Sequence, residues 1–344
     1  MITIVIGGQT GSEGKGSFVA WLTDPRRQEG KLLVIRTGGA NAGHSMKLPD
    51  GTVFKARHVP CAINNRRAIL ALGPGAVVDP DYLLNEELPW LRSVGYDVKG
   101  RFYIDPMCAI IEQKHRDLVR PDFGTTKKGV AGATADRVLR TGKIARDISA
   151  LYPYLADVAD LANGLDSRGD DILIETAQGF GLSLTRSGHY PYCTSRDVTP
   201  GAALNDAGVP LAGPIQTILV LRTHPIRVAG NSGPLRFEVT WDKLKEESGG
   251  YIQPEYTTVT NRLRRVGRWD PELARAAVAA CRPDHIVLTF FDYWRPDLAN
   301  KTVLDPDAFR RIHEVEEELG VPVTWVSTGF GSIIHMEENE YGGS

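Results

Sequence analysis

Short apolar runs rich in β-branched residues alternate along the chain with longer stretches of helical periodicity. Residues 2–6, 32–35, 68–72, 172–175, 215–221, 286–290 and 323–326 read as buried strands. Helical patterns cover residues 148–165, 271–281 and 306–319, and a further helix is predicted from Pro80 toward Leu91 with Asp79 as its N-cap. This alternation predicts an α/β fold in which helices flank a largely parallel central sheet.

Two long polar segments, residues 120–135 and 178–203, interrupt this alternation and are rich in glycine, serine and threonine. Ligands of open α/β sheets bind beyond the carboxyl ends of the strands. The residues at 7–8, 176–178 and 291–292 all follow predicted strands, so we expect them to line one crevice. Because no repeat, low-complexity segment or linker divides the chain, the pattern predicts one domain over residues 1–344 with long active-site loops.

The turn after the first strand, residues 7–16, carries five glycines and Lys15. Glycines let the backbone approach phosphate oxygens, and the start of the following helix adds positive potential. We therefore predict a P-loop-like phosphate cradle, with a plain strand-to-helix turn and a solvated lysine as the alternative. It is not a Walker A motif, because Gln9 and Gly16 stand where that motif has Gly and Ser or Thr.

Composition narrows the class of protein further. The 344 residues carry a net charge of −2, which gives no reason to expect a nucleic-acid partner. The four cysteines lie far apart without a C-x-x-C pair, as is typical of free thiols in a reducing compartment. No apolar run approaches the roughly 20 residues that span a bilayer. We expect a cytoplasmic protein that acts on small molecules, with no membrane partner.

The segment 7–16 resembles the opening of the adenylosuccinate synthetase family, whose usual form reads G-Q-W-G-D-E-G-K-G. Further motifs of that family follow in order at residues 41–44, 124–129, 136–140, 175–179, 190–195, 257–267 and 327–329. The resemblance runs from about residue 2 to residue 331. It implies a two-step ligase: a nucleoside triphosphate phosphorylates the 6-oxygen of a purine nucleotide, and the amine of L-aspartate then displaces phosphate. It also implies Mg²⁺ as the cofactor.

Site residues follow from the same resemblance. Catalytic roles are implied for Ser12, Lys15, His44 and Gln178, and metal contacts for Ser12 and Gly43. Contacts to the substrate nucleotide are implied for Ser12, Asn41, Thr125, Thr126, Arg140, Gln178 and Thr194. Contacts to ATP are implied for Gly14, Lys15, Gly16, Phe290, Asp292, Ser327 and Gly329. Contacts to aspartate are implied for Thr258, Val259, Thr260, Arg262 and Arg264, and a planar guanidinium suits a carboxylate.

Arg140 carries the prediction of a homodimer. It matches the last residue of the family's D-[KR]-V-x-R motif, whose Arg reaches the nucleotide phosphate bound by the partner subunit. The alternative for residues 136–140 is an ordinary surface helix with charges spaced four residues apart.

Two positions depart from the family's pattern. Ser12 stands where the family has the Asp that takes the N1 proton of IMP and binds Mg²⁺, and a serine hydroxyl is too weak a base to do this unaided. Phe290 replaces a Lys that packs over guanine, and an aromatic ring holds either purine, so the donor is expected to be ATP or dATP rather than GTP.

Ser12 leaves three functions open. The G-S-E-G-K-G sequence is similar to the phage branch of the family, the 2-aminoadenylosuccinate synthases, which use dGMP and serve diaminopurine nucleotide synthesis. Our leading hypothesis is that activity, in the host cytoplasm if the chain is phage-encoded. An ordinary synthetase acting on IMP, aspartate and GTP is the runner-up. An inactive purine-nucleotide sensor is the alternative of another class.

Overall fold

The computed structural model describes residues 1–118, 128–211, 213–257 and 261–339. Its strands are β1 (Ile2–Gly7), β2 (Leu32–Arg36), β3 (His44–Lys47), β4 (Val53–Ala56), β5 (Ile69–Leu72), β6 (Val77–Val78), β7 (Phe102–Ile104), β8 (Ala109–Ile110), β9 (Asp171–Glu175), β10 (Ile215–Arg222), β11 (Ile226–Arg227), β12 (Glu238–Val239), β13 (Arg265–Gly267), β14 (His285–Thr289), β15 (Val323–Gly329) and β16 (Ser332–His335).

The α-helices of the described residues are α1 (Lys15–Leu22), α2 (Pro80–Tyr82), α3 (Leu88–Ser93), α4 (Gln113–Asp117), α5 (Val130–Leu139), α6 (Val158–Asp166), α7 (Pro200–Ala207), α8 (Trp241–Glu247), α9 (Pro271–Cys281), α10 (Phe291–Trp294), α11 (Pro306–Leu319) and α12 (Met336–Asn339). A π-helical turn, Leu83–Glu87, joins α2 to α3, so the helix predicted after Asp79 is present, and the Asp79 side chain caps it by accepting from the N–H of Tyr82. No helix of the described residues is long and apolar enough to cross a membrane.

A large central sheet confirms the predicted fold class. In the described part of the chain its order is β16-β15-β14-β10-β1-β9-β2-β5-β7, and all neighbouring pairs are parallel except β15 with β16. Small antiparallel sheets, β3 with β4 and β11-β13-β12, lie outside it.

Both faces of the sheet are covered, which explains why its strands read as continuous apolar runs. Ile4 and Ile6 of β1 pack into one core cluster, whereas Val5 packs into the other. The first cluster includes residues of α6, α7, α9 and α11, and the second includes residues of α1 and α3. Strand β1 is thereby fixed at the centre of the molecule, and the loop that follows it is held by rigid neighbours on both sides.

Two sequence predictions of local structure were wrong. The single helix predicted over residues 148–165 is a 3₁₀ turn, Ser149–Tyr154, followed by α6, because Pro153 lies in the first part and the Asp157 side chain starts a new helix by accepting from Asp160 N–H. Residues 130–135, the last six of the predicted loop 120–135, belong to α5, which begins at Val130. All four cysteines are free, and Cys193 is half-buried while the other three are buried.

Candidate active site

One cavity of about 900 Å³ opens where the loops after β1, β9, β10 and β14 converge, as expected for the carboxyl edge of an α/β sheet. It brings together most of the residues that the sequence singled out. These are Ser12, Gly14, Lys15, Gly16, Asn41, Gly43, His44, Gln178, Thr194, Arg264, Phe290, Asp292, Ser327 and Gly329.

The remaining candidates are placed differently. Arg140 ends α5 and Arg262 follows the segment 258–260; both are exposed, and neither is among the residues that line the cavity. Thr125 and Thr126 lie outside the described residues, as do Thr258, Val259 and Thr260.

The glycine-rich loop is stabilised by a carboxylate that the sequence analysis did not assign to the site. Gly11 and Gly14 have φ of 94° and 89°, and Ser12 has φ of 57°, so the loop needs residues that tolerate left-handed backbone. The buried Glu13 carboxylate accepts the N–H of Gln9 at 3.2 Å and that of Gly11 at 2.8 Å. Glu13 therefore accepts hydrogen bonds from backbone N–H groups that point into the loop.

Lys15 is buried and ion-paired, so the alternative of a solvated lysine is wrong. Its Nζ lies 2.7 Å from Oε2 of Glu13 and 2.5 Å from the carbonyl oxygen of Gln178, which links the loop after β1 to the loop after β9. A Cβ at Gly7 would lie 2.6 Å from this Nζ, which gives a steric reason for glycine there. These two contacts fix the position of the ammonium group at the cavity wall.

His44 is oriented by Glu175, the last residue of β9. The Nδ1 of His44 lies 2.5 Å from Oε1 of Glu175, which also receives Arg36 Nη1 at 2.9 Å, while its Oε2 accepts the N–H of Cys61 at 2.7 Å. Burial would raise the pKa of Glu175, but Arg36 and His44 lower it to about 2. Burial and the charge of Arg36 lower the pKa of His44 to about 4. At neutral pH His44 is therefore a neutral imidazole that donates its Nδ1 proton to an ionised carboxylate.

A transition-metal site in this cluster is chemically unfavourable. Ligand atoms of His44, Cys61 and Glu175 lie within 4.8 Å of one another. However, Arg36 already pairs with the carboxylate, and burial raises the pKa of the Cys61 thiol well above its usual value, so the thiolate that a metal needs is disfavoured. Oxygen donors near the glycine loop, namely the Ser12 hydroxyl and the Gly43 carbonyl, are instead the type that Mg²⁺ prefers.

Ser12 is held by its backbone rather than by its side chain. Arg222, the last residue of β10, donates from Nη1 to the Ser12 carbonyl at 3.1 Å. The same guanidinium lies 3.8 Å from the centre of the Phe290 ring. One face of the predicted aromatic platform is therefore covered by a cation. The sequence pattern gave no signal for this role of Arg222, which ends an otherwise apolar run.

Asp292 and Gln178 both carry a polar atom without a partner among the described residues. Oδ2 of Asp292 accepts from the Tyr251 hydroxyl at 2.6 Å, whereas its Oδ1 is buried and unsatisfied. Nε2 of Gln178 donates to Oδ1 of Asn41 at 3.3 Å, whereas its Oε1 is buried and unsatisfied. Unsatisfied buried acceptors are costly, and at the wall of a cavity they favour a ligand that donates hydrogen bonds.

Arg264 reaches the cavity already paired with a carboxylate. Its Nη1 donates to Oε2 of Glu255 at 2.7 Å, and Glu255 also binds Arg222 through both carboxylate oxygens. The Tyr293 hydroxyl donates to the same group at 2.9 Å. Burial would raise the pKa of Glu255, but Arg222 and Arg264 lower it to about 2, so the carboxylate is ionised at neutral pH.

A family model described as adenylosuccinate synthetase matches residues 4–152 and 143–297. The adenylosuccinate synthetase of Pyrococcus horikoshii is 39% identical over 336 residues, which cover 95% of each chain. That of Methanocaldococcus jannaschii is 39% identical over 337 residues, which cover 95% of this chain and 94% of the relative.

Two solved structures share the fold. The fully ligated adenylosuccinate synthetase of Plasmodium falciparum has a TM-score of 0.83 at 20% identity, over 97% of this chain and 99% of that one. The succinoaminodeoxyadenylate synthetase of cyanophage S-2L, bound to dGMP and dATP, has a TM-score of 0.79 at 26% identity, over 97% and 95%. Together with the sequence relatives, the family match defines a carbon–nitrogen ligase of purine nucleotide synthesis. The chain belongs to the adenylosuccinate synthetase family.

Proposed function

We propose that this ligase joins L-aspartate to C6 of dGMP, giving N6-succino-2-amino-2'-deoxyadenylate for diaminopurine nucleotide synthesis. The observation that carries the proposal is Ser12, which lines the cavity where the family has an Asp. Guanine differs from hypoxanthine by an amino group at C2, next to N1. A serine leaves room beside that group and offers a hydroxyl acceptor, whereas a carboxylate would fill the same space.

The surrounding residues support ligation rather than a silent site. Lys15 and His44 lie at the cavity wall, where the Lys15 ammonium can neutralise charge on a transferring phosphoryl group. The neutral His44 donates its Nδ1 proton to Glu175, so its Nε2 can donate a hydrogen bond to the phosphoryl group only after taking up a proton. In the first step the 6-oxygen attacks the γ-phosphorus, the bond to the leaving diphosphate oxygen breaks, and the N1 proton of the purine passes to water. In the second step the amine of aspartate attacks C6, and inorganic phosphate leaves with the electron pair of the C6–O bond.

Mg²⁺ fits the donor set at the glycine loop and is part of the proposal. The Gly43 carbonyl and the Ser12 hydroxyl would hold it, together with substrate phosphates, and it would neutralise phosphate charge. The Ser12 carbonyl is engaged by Arg222, so the hydroxyl is the oxygen that this residue has left for a metal.

The donor is proposed to be ATP or dATP. Phe290 offers a ring without a base-specific donor, and Asp292 has one unsatisfied oxygen, which can accept from the 6-amino group of adenine. The solved structure of the cyanophage S-2L enzyme is bound to dATP as an energy donor, which agrees with this choice. Ser327 and Gly329 line the same cavity as Phe290 and Asp292.

A homodimer is proposed with Arg140 reaching the partner's site. Arg140 is exposed and does not line the cavity of its own subunit, and the neighbouring Val138 and Leu139 are 76% and 69% exposed. Adjacent apolar side chains left in solvent are typical of a surface that a second subunit covers.

The free thiols agree with a cytoplasmic location.

An ordinary adenylosuccinate synthetase acting on IMP and GTP is the second candidate. The sequence relatives at 39% identity carry that name, and they favour this activity more directly than one structural neighbour at 26% identity favours dGMP. What separates the two candidates is therefore position 12, not the overall similarity.

A substrate matrix tests the proposal. The purified chain is given dGMP, GMP, IMP or AMP, each with ATP or GTP, plus L-aspartate and Mg²⁺, and the succinylated product is measured. We expect product from dGMP with ATP. Product from IMP alone would support the second candidate. Nucleotide binding without any product would indicate the sensor.

A further inference from the structure

Glu255 lines the cavity and accepts hydrogen bonds from three separate parts of the chain. The donors are Arg222 at the end of β10, Arg264 directly before β13, and Tyr293 in α10. The side chain of Arg222 is fully buried, and those of Glu255 and Arg264 are only 15% and 12% exposed. Interactions between charges so well shielded from water are strong and persist in salt.

This cluster of Arg222, Glu255 and Arg264 has one carboxylate for two guanidinium groups. Arg264 donates to Glu255 from Nη1, whereas its Nε is buried and has no acceptor among the described residues. The cluster therefore carries an excess positive charge and an unsatisfied donor at the cavity wall. One further carboxylate at Arg264 would balance the charge of the three residues and give the Arg264 Nε an acceptor, whereas the Nε of Arg222, which is also buried and unsatisfied, would stay so.

Arg222 connects the same cluster to the phosphoryl-transfer side of the cavity. It donates to the Ser12 carbonyl in the glycine-rich loop and lies against the Phe290 ring. A change in the strength of the ion pair between Glu255 and Arg222 would therefore affect two contacts of Arg222. These are its hydrogen bond to the Ser12 carbonyl in the glycine-rich loop and its contact with the Phe290 ring.

We propose that Glu255 is a positioning residue that couples aspartate binding at Arg264 to donor binding at the glycine loop and Phe290. When a substrate carboxylate neutralises Arg264, the charge of Glu255 is no longer shared between two cations. It then pairs fully with Arg222 and fixes that side chain against Ser12 and Phe290. Aspartate and the nucleoside triphosphate therefore strengthen each other's binding, and the effect is reciprocal by linkage. The inference rests on the proposed roles of aspartate and ATP, and not on the identity of the purine monophosphate.

Initial rates over a grid of ATP and L-aspartate concentrations test it. The purine monophosphate is held saturating, as dGMP or IMP, whichever the protein uses, so a wrong choice of monophosphate in the proposed function does not affect the result. We expect saturating aspartate to lower the KM for ATP about fivefold in the unchanged protein, within the usual range of coupling between sites. If neither monophosphate is turned over, the Kd for ATP is measured by calorimetry with and without L-aspartate.

Variants separate coupling from mere structural support. Glu255→Gln keeps the shape of the side chain and removes its charge. In this variant saturating aspartate should leave the KM for ATP about unchanged, instead of lowering it about fivefold. Tyr293→Phe removes a neutral hydrogen bond to the same carboxylate and should retain the effect, whatever it does to the basal rate. Glu255→Asp keeps the charge on a shorter stem and should give an intermediate value, which serves if Glu255→Gln does not fold.

Two results would overturn the inference. One is the absence of any interdependence between ATP and aspartate in the unchanged protein. The other is a Glu255 variant, either Gln or Asp, in which both KM values rise while their interdependence stays as in the unchanged protein.

Discussion

The Nδ1 of His44 lies 2.5 Å from Oε1 of Glu175, and this contact joins the start of β3 to the end of β9. Burial and the charge of Arg36, which binds the same carboxylate, keep His44 neutral although it touches an acid. The pKa of His44 is about 4, against an ordinary value of 6.5. His224, outside the cavity wall, also has a pKa of about 4, because of burial and the charges of Arg222 and Arg268.

These two histidines predict that acid destabilises the fold. In both, the pKa is depressed by folding, so their stabilising effect is present above pH 6.5 and is lost as the pH falls toward 4. Each histidine should lower the free energy of unfolding by about 2 kcal/mol when the pH falls from 7 to 5. Urea unfolding at both pH values measures this. His224→Gln should reduce the pH dependence by that amount, and an unchanged slope in this variant would contradict the assignment.

Lys15→Ala should lower kcat by about 10²–10³-fold, because one preorganised charge near the transferring group is lost. The change also leaves Glu13 buried and unpaired, which costs roughly 3–5 kcal/mol of stability. The double variant Glu13→Gln with Lys15→Met removes both charges and serves as the matched control for folding. A double variant that is stable yet inactive would support a catalytic role, whereas near-normal turnover would rule that role out.

The aspartate contacts can be ranked by placement. Arg264 lines the cavity and is mostly buried, whereas Arg262 is exposed and off the cavity wall. We expect Arg264→Leu to raise the KM for aspartate more than Arg262→Leu does, by about tenfold or more for a charged hydrogen bond of roughly 1.5–3 kcal/mol. Steady-state kinetics of both variants with varied aspartate decide the order. Equal effects would mean that Arg262 also reaches the substrate.

The homodimer prediction is tested by mixing two inactive variants. Arg140→Ala damages the site of the partner, and Lys15→Ala damages the site of its own subunit. If Arg140 crosses the interface, a mixed dimer has one site free of both changes, and activity should return on mixing to roughly a quarter of normal when subunits assort at random. An active protein that sediments as a monomer would contradict the prediction.

The sheet was predictable because its strands are buried on both faces and therefore consist mainly of apolar runs, as residues 32–35 of β2 illustrate. Short edge elements such as Val77–Val78 carry too few residues for a pattern to appear. In the site, residues with a motif were found, but Arg222 and Glu255 were not. Their partners lie far away in sequence, since Arg222 Nη1 and the Ser12 carbonyl oxygen are separated by 210 positions, and no local pattern encodes such a contact.

Ser12 also shows what a motif cannot supply. The sequence identifies a serine in place of the family's Asp, but not how the loop holds it. The structure adds that φ is 57° and that Arg222 fixes the carbonyl. Both features depend on the backbone. Among residues other than glycine, Asp is one of those that most often adopt positive φ. A substitution at this position should therefore leave the loop in place and change only the side chain that meets the purine.

Ser12→Asp is accordingly the sharpest test of the substrate. We expect it to lower kcat/KM for dGMP by about tenfold or more, since a whole charged carboxylate would crowd the 2-amino group, and to create or raise activity with IMP by restoring a base beside N1. The new carboxylate could also accept a hydrogen bond from the 2-amino group, which would favour dGMP. The Ser12 hydroxyl already offers such an acceptor, so we expect little gain from it. Ser12→Ala is the matched control: it keeps the space and removes the acceptor, so it should weaken dGMP without helping IMP. The quantity to measure is the ratio of kcat/KM for dGMP over IMP in the three proteins. A ratio that Ser12→Asp leaves unchanged would remove the reason for preferring dGMP, and IMP, the substrate of the second candidate, would then be the better assignment.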